Sequence, residues 1–92
     1  MKPSEAILKG FEMAGERQCI MVNCKGDPEK PDAVCAIGAI QLVEGGNACF
    51  FSNTAWDAND AMEKATGYSV TQMNDGGMSI PDIAGILAAE GF

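Results

Sequence analysis

The chain has 92 residues, 47% of them hydrophobic and 21% charged, and its formal net charge is −7. This length suits a single globular domain spanning residues 1–92, and the composition is too apolar for a disordered chain. Nucleic acid and anionic membranes are excluded as expected partners, because both require clustered lysine and arginine that this sequence does not supply.

The first predicted helix runs from about Glu5 to Ala14. Ser4 precedes it as a candidate N-cap, and Gly15 follows it as a candidate terminator. The apolar positions recur with helical spacing at Ile7, Leu8, Phe11 and Ala14. The segment is therefore expected to be amphipathic, with one buried face.

Two short apolar runs, residues 19–22 and 49–51, are candidate strands. They are too short for helices of their own, and pairing between them would form a minimal two-stranded β-ribbon. The charged stretch 25–32, which contains Pro28 and Pro31, is predicted to be a surface loop.

A second helix is predicted over residues 33–43, with Asp32 as its N-cap and 45–46 as a glycine terminator. Gln41 is the one polar side chain in this stretch, so the helix is expected to be buried all round and central. Gly38 weakens the helix, and we expect a neighbouring helix to approach closely there.

Three further helices are predicted towards the end of the chain. The third runs from a capping box at Thr54 and Asp57 to about Ala65, where residues 66–67 close it. Its buried face is expected at Ala58, Ala61, Met62 and Ala65. A short fourth element covers residues 69–73 and also begins with a box-like sequence, Ser-x-x-Gln.

The last helix has the clearest signals. Ser79 is its N-cap, Pro81 lies in its first turn and Asp82 occupies the capping-box position. Its buried stripe is expected at Ile80, Ile83, Ala84 and Leu87. The predicted fold is thus mainly α, a small orthogonal bundle of four to five short helices around a buried central helix, with an α+β alternative if the ribbon forms.

Catalytic and metal-binding residues are not predicted. The chain has no histidine, which removes the most frequent general base near neutral pH. The acidic stretch 57–63 lacks the glycine and terminal glutamate of a calcium-binding EF-hand loop. A phosphate before the last helix is disfavoured by Asp75 and Asp82 beside it. No cofactor is expected.

The four cysteines have the spacing C-x4-C-x10-C-x13-C. This matches no common zinc pattern, so we expect small buried hydrophobic residues with reduced thiols, as is typical of the cytoplasm. A metal site formed by Cys19, Cys24, Cys35 and Cys49 is the alternative. The N-terminus has no signal-peptide pattern and no stretch is long enough for a membrane span, so a soluble cytoplasmic protein is expected.

Candidate partner contacts are Trp56, Asp57, Asp60, Asn74 and Asp75. Aromatic residues are enriched at interface hot spots, although a small core could instead bury Trp56 with Phe50, Phe51 and Tyr68. Asn74 and Asp75 can alternatively hydrogen-bond the turn before the last helix and fix its angle.

Two segments resemble a known family. The run 35–40, Cys-Ala-Ile-Gly-Ala-Ile, is similar to a CALGAL-like helix, and Met73-Asn74-Asp75 followed by Ser79 resembles a WND…T/S segment, with Met73 where the family tends to have tryptophan. Both features, in this order, belong to a small family of uncharacterised bacterial and phage-encoded proteins. The resemblance implies a compact helical domain, no established activity, and a phage or mobile-element origin.

The sequence favours a non-enzymatic factor that binds a protein partner. Residues 33–92 carry a net charge of −6 with Lys64 as their one cation, and they are rich in apolar residues. One alternative is a structural subunit that self-associates, as a homodimer, to cover its central helix. The other is a cysteine-dependent metal-binding protein.

Overall fold

The structure is a computed structural model and describes residues 1–20, 33–45 and 52–92. Five helices account for 68% of this described part of the chain. In chain order they are α1 (Pro3–Met13), α2 (Ala36–Glu44), α3 (Asn53–Thr66), α4 (Val70–Asp75) and α5 (Ile80–Ala89). The mainly α bundle expected from the sequence is confirmed.

The crossing of α1 and α2 is the most extensive helix contact among the described elements. A Cβ atom added to Gly10 of α1 would lie 2.7 Å from the Cα of Ala39 in α2, and closer still to its carbonyl group. The close approach predicted at Gly38 is wrong, because a Cβ atom there would meet the Cys35 Sγ at 3.4 Å and no neighbouring helix. Gly10 is therefore the residue that lets the two backbones meet.

A single cluster of buried side chains draws on all five helices. Its largest fully buried apolar members are Ile7, Ile37, Ile40, Met62, Val70, Ile80, Ile83 and Leu87. The central position of α2 is confirmed on one side, where Ala36 and Ala39 are 0% exposed. Its other side is not fully covered, since Leu42 and Val43 are half-buried.

The starts of α1 and α2 differ from the prediction. Ser4 lies inside the first turn of α1 and does not cap it; its Oγ instead donates to the main-chain oxygen of Phe92 at 2.7 Å. Cys35 is the N-cap of α2, its Sγ accepting from the Gly38 N–H at 3.3 Å. The predicted cap, Asp32, lies outside the described residues.

Residues before α2 pair with the segment after α1, which explains the later start of α2. Val34 N–H donates to Arg17 O at 3.0 Å and Cys19 N–H donates to Val34 O at 3.0 Å, so Gln18 and Val34 form an isolated parallel bridge. The ribbon predicted between residues 19–22 and 49–51, like the loop predicted over 25–32, falls largely outside the described residues.

The helices from α3 onward follow local capping signals. α3 begins after Ser52, whose Oγ accepts from Ala55 N–H at 3.2 Å, and not after Thr54 as predicted. Ala65, expected on its buried face, is exposed because the helix turns that position outward. The caps of α4 and α5, Ser69 and Ser79, are confirmed, as is the buried stripe of α5.

Candidate protein-binding surface

The sequence of α3 places small residues on one side and polar residues on the other. The buried positions are Ala55, Ala58, Ala61 and Met62, and three of these four side chains are alanine methyl groups. Such a face allows α3 to lie close against the core while contributing little bulk to it. The opposite side of the helix consequently faces solvent.

The outer face of α3 is defined here as the exposed residues Asn53, Trp56, Asp57, Asp60, Glu63 and Lys64. At about 100° per residue, all six lie within about 60° of the direction of Asp60. Three of them are carboxylates and one is a lysine, so the face carries a net charge of −2. Three of the five predicted partner contacts, Trp56, Asp57 and Asp60, therefore lie on this face.

Trp56 is 55% exposed although it is the one tryptophan of the chain. Tyr68, just beyond the end of α3, is 59% exposed. For these two aromatic residues the alternative of burial in the core is wrong; Phe50 and Phe51 lie outside the described residues. A large amphipathic ring kept at the surface is typical of sites that a partner covers.

Asn74 lies elsewhere and is buried, at 1% exposed. Its Oδ1 accepts from Ala36 N–H at 2.9 Å and from the Gln18 amide at 3.1 Å, and its Nδ2 donates to Cys19 O at 3.0 Å. All of these are contacts within the chain, which places Asn74 in the interior and away from the outer face of α3. It positions the start of α2 and the segment after α1.

Gln18, which is half-buried, completes this polar network. Its Nε2 also donates to Met78 O at 2.8 Å, while its Oε1 accepts from Ile80 N–H at 2.8 Å. Together the two side-chain amides join α2, the segment around residue 18 and the start of α5. Sequence reasoning missed Gln18, because a single polar residue in an irregular segment follows no periodic pattern.

Asp75 is exposed at the last position of α4, and its charge acts on Cys35, the N-cap of α2. Burial raises the pKa of the Cys35 thiol, and the nearby Asp75 carboxylate raises it further. The hydrogen bond from Gly38 N–H to the sulfur opposes both effects on this pKa. Cys35 is therefore held as a neutral thiol that caps a helix, not as a reactive thiolate.

The prediction of four reduced thiols is wrong for Cys19, which is disulfide-bonded, and correct for Cys35, which is free and buried. The partner of Cys19 lies outside the described residues. The alternative of a four-cysteine metal site would need Cys19 as a thiolate, which its disulfide-bonded form does not supply, and Cys24 and Cys49 lie outside the described residues. Across residues 1–20, 33–45 and 52–92, no three acidic or cysteine side chains are grouped to hold a metal ion.

No protein-family model, curated protein or solved structure matches this chain. The described helices are also too short or too polar to cross a membrane.

Proposed function

We propose that this protein is a non-enzymatic factor that binds a protein partner through the outer face of α3. The supporting observation is Trp56, a 55% exposed indole on the same helix face as the carboxylates of Asp57 and Asp60. Tryptophan is among the residues most enriched at the hot spots of protein interfaces. A ring with acidic neighbours suits a partner that is apolar at the centre of contact and basic around it.

The charge distribution supports the same kind of partner. Residues 33–92 carry a net charge of −6, which would steer a positively charged surface towards this part of the molecule. Asp75 belongs to this acidic region, but at the end of α4 it contributes to long-range attraction and not to the outer face of α3.

The family resemblance extends this proposal to a phage- or mobile-element-encoded protein that acts on a host factor. A cytoplasmic site of action is compatible with it if the Cys19 disulfide is reduced there, because glutathione and thioredoxin keep cytosolic thiols reduced. The disulfide-bonded form suits an oxidising compartment.

Self-association is less well supported. The sequence offers it as an alternative because α2 needs cover on all sides, yet Ile37 and Ile40 are 2% and 0% exposed within one chain. The proposal therefore expects a monomer. Sedimentation that shows a concentration-dependent dimer would favour the alternative of a self-associating structural subunit.

The test is affinity capture from a bacterial lysate at moderate salt, with the immobilised chain and its Trp56→Ala variant. We expect a discrete protein to be retained by the wild type and lost, by about tenfold or more, from the variant, because hot-spot tryptophans contribute roughly 2 kcal/mol or more. Tyr68→Ala, which removes an equally exposed aromatic ring outside the outer face, is the control and should retain the partner. Equal retention by all three proteins, or by none, contradicts the proposal.

A further inference from the structure

We infer that the partner presents an arginine to the outer face of α3, with its guanidinium stacked on Trp56 and paired with Asp60. The inference deepens the proposed function and rests on it. It follows from the juxtaposition of an exposed indole and a carboxylate one helical turn apart.

Positions 56 and 60 are neighbours on the surface of α3. Residues four apart on a helix have Cβ atoms about 5–6 Å apart. A cation over an indole lies within about 6 Å of the ring centroid. One guanidinium can therefore contact the ring with its flat face while its N–H groups reach the carboxylate of Asp60.

The chemistry favours arginine over lysine. A guanidinium is planar, stacks on aromatic rings and presents a fixed fork of N–H groups to a carboxylate. An ammonium is more strongly hydrated and offers no flat face, so it gains less from the same pair of side chains. The combination of ring and carboxylate, rather than negative charge alone, is what discriminates between them.

The neighbouring charges set where the cation lies. Asp57 is on the N-terminal side of Asp60, whereas Lys64 is one turn beyond Asp60 towards the C-terminus of α3. The N-terminal half of the face thus carries two carboxylates that attract a partner cation, whereas in the C-terminal half Lys64 offsets the charge of Glu63. The arginine-bearing segment consequently covers the N-terminal half of the outer face, where Trp56 also lies.

The experiment uses Trp56 as its own reporter, since the chain has one tryptophan. Tryptophan emission of the full chain is titrated with an oligo-arginine peptide and with an oligo-lysine peptide of the same length. We expect the arginine peptide to change the emission and to bind about two- to fivefold more tightly, in line with the contribution of an exposed cation–π contact. Equal affinity for the two peptides would overturn the inference, because charge alone would then explain binding.

Two variants locate the contact. Asp60→Asn should weaken binding of the arginine peptide by about two- to fivefold, as expected for loss of an exposed ion pair. It should also reduce the preference of the chain for the arginine peptide over the lysine peptide. Asp82→Asn, which removes the same charge from the exposed start of α5, is the matched control and should change the affinity less than Asp60→Asn. Equal losses in both variants count against a contact at Asp60.

These experiments distinguish failure of the arginine inference from failure of the proposed function. If the lysate partner depends on Trp56 but arginine shows no preference over lysine, the inference fails and the protein-binding function stands. If neither Trp56-dependent capture nor an arginine preference is found, both fail.

Discussion

At the scale of single residues, the side-chain amides of buried Asn74 and half-buried Gln18 replace the regular hydrogen bonding that irregular segments lack. Asn74 satisfies Ala36 N–H and Cys19 O, and Gln18 satisfies Met78 O and Ile80 N–H. Buried main-chain groups without partners cost free energy, so each amide stabilises the fold mainly by preventing that cost. No buried side-chain nitrogen or oxygen atom lacks a partner in the part of the chain that the structure describes.

Replacing Asn74 with alanine tests this network. We expect Asn74→Ala to lower the free energy of unfolding by about 2–4 kcal/mol, because it removes the acceptor of the buried Ala36 N–H and the donor to the half-buried Cys19 O. Urea unfolding followed by circular dichroism measures the change. Asn53→Ala, the same substitution at an exposed position of α3, should change stability by less than about 0.5 kcal/mol. Similar values for the two variants would show that the buried amide is dispensable.

At the scale of helices, the α1–α2 crossing depends on the absence of a side chain at Gly10. A Cβ atom would come within 2.7 Å of the Ala39 Cα, which is backbone and cannot rotate away. The two helices would have to separate, exposing part of the contact between Ile7 and its neighbours. Packing, rather than the helix propensity of glycine, therefore decides how a substitution at Gly10 changes the stability of the fold.

A pair of glycine substitutions separates packing from propensity. Gly10→Ala should lower the free energy of unfolding by about 2–3 kcal/mol, in the range for overpacked cores. Gly85→Ala, at an exposed position of α5 where an added Cβ atom has no neighbour within 4 Å, should raise it by about 0.5–1 kcal/mol. Thermal unfolding of both variants measures the two effects. A gain in stability at both positions would mean that α1 and α2 do not cross at Gly10.

Sequence signals predicted the helices where the determining contacts are local. Ser69 and Ser79 cap α4 and α5 as expected, because an N-cap bonds an N–H group three residues away. Ser4 was assigned wrongly because Phe92, 88 residues away in sequence, takes its hydroxyl. The close approach predicted at Gly38 is wrong for the same kind of reason, since α2 crosses α1 at Gly10 and none of the described helices meets Gly38.

The candidate surface was predicted only in part. Trp56, Asp57 and Asp60 share a face because all three lie on one helix, which the sequence predicted although its N-cap is Ser52 and not Thr54. Asn74 fell outside that face because its burial depends on Gln18, 56 residues away, and no local pattern announces such a contact. The composition does not decide whether Trp56 is buried or exposed. In the structure the core consists mostly of aliphatic side chains and does not include Trp56.

At the scale of the whole molecule, the Cys19 disulfide adds a covalent link to a small core. A chain of 92 residues buries a limited fraction of its surface, so a cross-link that restricts the unfolded state has a large relative effect. Cys19 also lies beside the Asn74 network, to which its carbonyl group belongs. Loss of the Cys19 disulfide would therefore remove a restraint next to the hydrogen bonds of Asn74.

Reduction tests the contribution of this disulfide. We expect dithiothreitol to lower the free energy of unfolding by about 2 kcal/mol or more, the usual range for a native disulfide. Cys19→Ser should be less stable than the wild type and insensitive to the reductant. Cys35→Ser, in which the cysteine replaced is free, should keep the full response to reduction. If the midpoint of urea unfolding of the wild-type chain is the same with and without reductant, the Cys19 disulfide does not stabilise the fold.

The contact of Gly10 with Ala39 also limits how the whole fold can diverge. A side chain larger than a hydrogen atom at position 10 would collide with backbone, and no substitution at position 39 can remove backbone atoms. Drift towards alanine at position 10, which helix propensity alone would favour, is therefore blocked unless the angle between α1 and α2 changes. Relatives that keep this crossing should retain glycine at position 10, while exposed positions such as Gly85 vary freely.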